Sequence, residues 1–143
     1  MTMLWCGQRG EVDSEFADEC DATIGPLPDT FGVNRGYAST ASQDILYQKF
    51  LHGGPLAAKP GRSAHNYRFA IDLARVEDGK WYWDYDHPAW QRLRDAVDKS
   101  AHLHGGWRFP EDTAGRVVAD PDHVQDQTKW MAKKAELKAS GAW

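Results

Sequence analysis

The fold turns on residues 63–72, Ser63-Ala64-His65-Asn66-Tyr67-Arg68-Phe69-Ala70-Ile71-Asp72. From Phe69 onward the pattern alternates, with Phe69, Ile71 and Leu73 on one side and Ala70, Asp72 and Ala74 on the other, which predicts a strand over 69–74. His65 and Asp72 are seven positions apart, an odd number, so on one regular strand they would point to opposite faces. His65 therefore belongs to the loop that enters the strand. Some fifty residues on stands Asp120-Pro121-Asp122-His123. Asp at the first position and Pro at the second favour a type I turn, whose first and fourth residues lie within about 7 Å. Asp120 and His123 can then share one site.

Together these segments supply two imidazoles and a carboxylate for one ion, with a further carboxylate beside the last imidazole. A catalytic zinc site uses three protein ligands and leaves a fourth position for water. His65, Asp72 and His123 are the candidate ligands. Asp120 is the candidate base, taking the proton of the water and returning it to the leaving group. Asp122 competes for that role, but neighbouring side chains of an extended segment diverge, and the turn puts Asp120 beside His123.

Outward from this centre the chain alternates helical and extended signals. Val12, Phe16, Ala17 and Cys20 have helical spacing over 12–20, and Gly25-Pro26-Leu27-Pro28 stops that helix. Residues 31–37 suit a short strand. After Ser39 or Thr40 as N-cap, 41–51 reads as a helix with Ile45, Leu46, Phe50 and Leu51 on one side, ended by His52-Gly53-Gly54-Pro55. A loop follows over 55–62. Glu77-Asp78-Gly79-Lys80 reads as a turn before the aromatic segment 81–85. Asp86 and Pro88 open a helix through Trp90, Leu93, Ala96 and Val97 to about Leu103, terminated by Gly105-Gly106. Residues 108–119 make an irregular excursion, 120–125 return to the site, and 128–138 form a final helix docked through Trp130, Leu137 and Met131. His52, His87, His102 and His104 fall at helix ends and are not taken as ligands.

The chain has 143 residues, enough for one domain over 1–143 with its own core. A hydrophobic share of 41% and a charged share of 27% match an ordinary globule rather than a disordered chain. A net charge of -4 argues against a general grip on nucleic acid. The N-terminal residues lack a basic region followed by an apolar one, and no long apolar run is present, so neither a secretory signal nor a membrane span is expected. The expected form is a soluble monomer made in the cytosol. Cys6 and Cys20 have no metal-ligand spacing and pair only if the fold brings them together. Of the seven tryptophans, Trp81, Trp83 and Trp90 are read as packing rather than as a groove wall. Trp107, after two glycines, is the one read as a candidate substrate contact.

The pattern Ser63-x-His65-x-x-x-x-Ala70-x-Asp72, then Gly105-Gly106-Trp107, then Asp120-x-x-His123, resembles the zinc peptidases that include D-Ala-D-Ala carboxypeptidases and dipeptidases and the L-alanyl-D-glutamate endopeptidases of phage endolysins. The similarity covers about 30–125, and Gly36-Tyr37-Ala38-Ser39 with Gln43 resembles the family's strand-to-helix element. The resemblance implies an α+β fold of the D-Ala-D-Ala carboxypeptidase and Hedgehog type, with a small antiparallel sheet carrying the metal between helices. It implies Zn2+ as cofactor and the stem peptide of bacterial peptidoglycan as partner, with no nucleic acid or membrane. An endolysin cutting between L-Ala and D-Glu, held in the host cytoplasm until lysis and then acting on the wall, is the first reading. A D,D-carboxypeptidase or dipeptidase is the second, and an inactive zinc-containing wall-binding module the third. Two positions depart from the family: Arg68 stands where many members have Gly, and Ala38 where they have an arginine that would steer a substrate carboxylate. Arg35, Arg62 and Arg68 are candidate replacements, Arg35 being nearest. Ser63, Arg35 and Trp107 are thus the candidate substrate-binding residues.

Overall fold

A computed structural model describes residues 3–55, 57–110 and 119–141. Among these it has five strands, β1 (Thr30–Arg35), β2 (Ala70–Glu77), β3 (Lys80–Tyr82), β4 (Leu103–Gly105) and β5 (His123–Asp126). All their pairings are antiparallel, in the order β1-β2-β5-β4 with β3 paired to β2. Four α-helices flank the sheet, α1 (Ser14–Ile24), α2 (Thr40–Leu51), α3 (Pro88–Lys99) and α4 (Gln127–Ala139). The architecture is α+β, as the resemblance implies.

Each helix starts where the sequence offers an acceptor to its free N–H groups. Asp13 accepts from Phe16 N at α1, Ser39 from Ser42 N at α2, and Asp126 from Lys129 N at α4. At α3 the cap is His87, whose Nδ1 accepts from Ala89 N, rather than Asp86. That helix also ends earlier than its pattern suggests, at Lys99. Ser100 Oγ donates to Val97 O, and Leu103 N donates to Ser100 Oγ. Residues 103–105 then leave as β4, so His104 lies in a strand instead of a helix terminus.

One face of the sheet makes the core. Phe31, Val33, Ile71, Leu73 and Val124 are fully buried against Phe16, Cys20 and Ile24 of α1 and Trp90, Leu93 and Val97 of α3. Phe31 and Trp90 meet edge to face at 5.3 Å. Trp90 is therefore core, while Trp81 lies over Gly32 and Trp83 is exposed. Cys20 is buried, Cys6 is exposed, and the two are free thiols. No helix among the described residues is long and apolar enough to cross a membrane.

Two helices depart from their expected packing. In α2 only Gln43 is buried, and Ile45 and Leu51 are 59% and 55% exposed, so its apolar side is a free wall and not part of the core. In α4, Trp130 stacks on Tyr67 at 5.6 Å, but Met131 is exposed. The excursion expected at 108–119 lies largely outside the described residues.

The other face of the sheet carries polar residues in adjacent registers. Asp72 on β2 stands opposite His123 on β5, and Ala70 opposite Gln125. Arg35 on β1 stands opposite Asp72 on its other side. Its place is set by a bulge: Val33 pairs with Leu73 on the core face, yet the register shifts before Arg35. One extra residue, Asn34, turns Arg35 to the opposite face from Val33.

Candidate active site

His65 sits in a short 3-10 turn, Ala64–Tyr67, just before β2, where the odd spacing to Asp72 requires it. Ser63 Oγ accepts from His65 N and caps that turn. Asp72 and His123 face each other across paired strands. The carboxylate Oδ1 of Asp72 lies 3.1 Å from His65 Nε2 and 3.1 Å from His123 Nδ1. The expected turn forms, with His123 N donating to Asp120 O at 3.5 Å. A second backbone bond, Leu73 N to Asp122 O, ties the turn to β2.

The outer nitrogens of both rings are committed as donors. His65 Nδ1 is 2.6 Å from Gly36 O, a carbonyl that can only accept. His123 Nε2 is 2.7 Å from Gln125 Oε1, and the Gln125 amide nitrogen in turn donates to Gln127 Oε1. With the outer N–H groups placed this way, neutral rings direct lone pairs from His65 Nε2 and His123 Nδ1 at a carboxylate oxygen. Three acceptors within 4.8 Å of one another could hold a cation between them. Tetrahedral donors about 2.0–2.1 Å from zinc would lie about 3.3 Å apart, close to the 3.1 Å found here. These residues thus fit a divalent ion.

Electrostatics agree with that fit. Burial raises the Asp72 carboxyl, but the charges and hydrogen bonds of His65 and His123 outweigh it and hold it far below the usual carboxylate range. Burial lowers His123, while the hydrogen bond and charge of Asp72 lift it more, so it ends raised.

Asp120 and Asp122 separate by direction. Asp120 lines an open cleft of about 1050 Å3 together with His65 and His123, and Asp122 does not. Instead Asp122 accepts from Tyr85 Oη at 3.1 Å. Its carboxyl is pushed up to about 8 by burial, by its hydrogen bond with Asp120 and by the charges of Asp72 and Asp120. Asp72, Asp120 and Asp122 also gather within 4.8 Å, so the turn brings Asp120 next to the ligand carboxylate.

Gly106 makes this approach possible. A Cβ built there would lie 2.5 Å from Asp120 O and 2.8 Å from His123 Cβ, and Asp120 N donates to Gly106 O at 2.9 Å. Contact that close to backbone cannot be relieved by a rotamer change. Gly106→Ala is expected to push the turn off the sheet and weaken zinc affinity at least about tenfold, read by competition with a chelating dye. Unchanged affinity would mean that the turn is not positioned by this contact.

The substrate-contact candidates divide. Ser63 and Arg35 line the cleft. Arg35 Nη1 is 3.7 Å from Asp72 Oδ2, and its Nη2 donates to Gln43 Oε1 at 2.8 Å. Trp107 does not reach the cleft: its ring covers Gly105 and its Nε1 donates to exposed Asp98. The two glycines thus admit an indole and a turn, not a ligand. Of the replacement arginines, Arg62 also lines the cleft. Arg68 is turned away, over the Tyr37 ring at 3.8 Å and donating to Glu11 O. Its φ of 70° is left-handed, a conformation that favours glycine.

Sequence reasoning missed Gln125, and it named Gln43 only as part of the strand-to-helix element, without its role. Gln125 follows His123 by two, so strand periodicity alone would place it on the same face. Gln43 is the buried anchor of Arg35, and nothing local marks it as such.

No protein-family model matches the chain. Its fold is that of two solved peptidases. The L-Ala D-Glu endopeptidase ChiX of Serratia marcescens superposes with a TM-score of 0.59 at 17% identity, covering 86% of this chain and 89% of that one. The vancomycin-resistance D,D-dipeptidase VanXYg, solved with a D-Ala-D-Ala phosphinate analog, superposes with a TM-score of 0.58 at 18% identity. There 91% of this chain is covered but only 55% of the other, so the chain spans about half of that protein.

Proposed function

We propose that this protein is a zinc-dependent peptidase of the peptidoglycan stem peptide that cuts the L-Ala–D-Glu bond, in the manner of a phage endolysin held in the host cytoplasm until lysis. The observation that carries the proposal is the convergence of His65 Nε2, His123 Nδ1 and Asp72 Oδ1 beside a cleft onto which Asp120 opens. The fold likeness to ChiX, over nearly the whole of both chains, supports the choice of bond.

When bound, zinc would supply Lewis-acid activation of water and of the scissile carbonyl. The protein does the remainder. His65, Asp72 and His123 hold the ion, with Gly36 O and Gln125 fixing the tautomers of the two rings. Asp120 takes the water's proton and passes it to the leaving amine. Arg35, braced by Gln43, keeps Asp72 Oδ2 oriented and presents a positive charge to the substrate.

Digesting purified peptidoglycan with the zinc-loaded protein and identifying the new amino termini tests the reading. N-terminal D-Glu is the expected product. Released D-Ala would replace it with a D,D-peptidase, the activity named for VanXYg. Bound zinc with no product would leave a wall-binding module.

A further inference from the structure

Glutamate has two carboxyl groups, and in a peptide chain one is used and one is left over, as free acid or as amide. We infer that the cleft distinguishes these forms, so that the protein selects acidic stem peptides over amidated ones through Lys49, Lys59 and Arg62. The inference rests on the peptidase reading above and names the chemistry its substrate must carry.

The first observation is charge. The chain is acidic, at net -4. Its cleft is the reverse: Arg35, Lys49, Lys59 and Arg62 line it, against Asp120 as the one carboxylate among the described lining residues. Several cations elsewhere are ion-paired, as Arg9 with Asp18 and Asp21, Arg75 with Asp84, Arg92 with Asp29 and Lys129 with Glu15, and those unpaired among the described residues there, such as Lys80, Arg94 and Lys99, line no cleft. Lys49, Lys59 and Arg62 are exposed and have no carboxylate partner among the described residues. Lys49 is in the last turn of α2, where the helix dipole also favours it. Lys59 and Arg62 have no such reason to be basic.

The second observation is preorganisation. The loop that carries Lys59 and Arg62 is fastened on three sides: Gln43 Nε2 donates to Ala58 O at 2.8 Å, Gly61 N to Asn66 Oδ1 at 3.1 Å, and Tyr67 Oη to Gly61 O at 2.6 Å. Within it Arg62 N donates to Lys59 O at 3.0 Å, a turn that keeps the two residues together. Arg62 is three residues from the metal-ligand candidate His65, so the charges are held near the proposed scissile bond. A carboxylate gains charge-assisted hydrogen bonds here that a carboxamide does not.

The test uses two synthetic peptides containing L-Ala–D-Glu, with blocked C-termini, identical except that the spare glutamyl carboxyl is acid in one and carboxamide in the other. Equilibrium binding to the zinc-loaded protein and rates of cleavage are both measured. The acid form is expected to bind at least about tenfold more tightly, with the preference shrinking at high salt and disappearing in the Lys59→Gln/Arg62→Gln double variant. Those two side chains are solvent-exposed, so the variant keeps the fold, checked by circular dichroism. Equal affinity for the two peptides, or no binding of either, overturns the inference. Failure of the peptidase reading looks different: neither peptide is cut, whatever the ratio of affinities.

Discussion

Asp120→Asn is expected to lower kcat on peptidoglycan at least about 100-fold, the scale of a lost general base, while the protein still binds zinc through His65, Asp72 and His123. The two carboxylates of the turn make this a discriminating experiment, because they are two residues apart and differ in what they face. Asp120 opens on the cleft, whereas Asp122 is held by Tyr85. Asp122→Asn keeps an acceptor for the tyrosine and is expected to cost less than about tenfold in kcat, below the range of a lost acid or base. Equal losses in the two variants would move the base role off Asp120.

Stability separates the pair as well. Asp122 has its carboxyl raised to about 8 in the folded, metal-free protein, from about 3.9 in an unfolded chain. Between those values the folded state holds the proton that the unfolded state has lost. The contribution is therefore complete below about pH 4 and is lost as pH rises to about 8. Asp122→Asn should flatten that decline, seen in denaturant unfolding at pH 5 and pH 8 with chelator present. A slope that persists in the variant would assign the titration to another group.

Zinc is expected to raise the melting temperature by about 10 °C over the chelated protein. At free metal about a thousandfold above its dissociation constant, a ligand that binds only the folded state adds about 4 kcal/mol. For a domain near this size each kcal/mol moves the transition by about 2–4 °C. The physical source is the cluster itself, where three potential ligand atoms converge within 4.8 Å. Removing one ligand, in His65→Ala or Asp72→Ala, should abolish the increment. A melting temperature indifferent to zinc and to chelator would refute the metal site.

The site was more legible in the sequence than the packing around it. Parity of spacing put His65 off the strand, and Asp-Pro at the start of a four-residue turn brought Asp120 to His123; both are local rules, and both appear in the structure. The α2 stripe of Ile45, Leu46, Phe50 and Leu51 was legible as one side of a helix, but periodicity reports amphipathicity without saying what lies opposite. Here Leu46, Phe50 and Leu51 line a cleft. β4 and β5 escaped notice as strands because three and four residues are too few for alternation to register. Trp107 drew attention through its glycines, which in fact give way to its own ring and to the Asp120 turn. Arg62 was one of three candidate arginines and Lys59 none, since only the fold shows that the two share a wall with the histidines.

Asn34 contributes no side chain to the chemistry, yet the count of residues between Val33 and Arg35 decides which world the guanidinium inhabits. Were Asn34 one more regular rung of the ladder, Arg35 would fall in line with Phe31 and Val33, among hydrocarbon, and Gln43 would lose its partner. Because the extra residue is absorbed as a bulge, the guanidinium stays on the polar floor of the cleft; a deletion at 34 would restore plain alternation after Val33 and still leave Arg35 opposite Asp72.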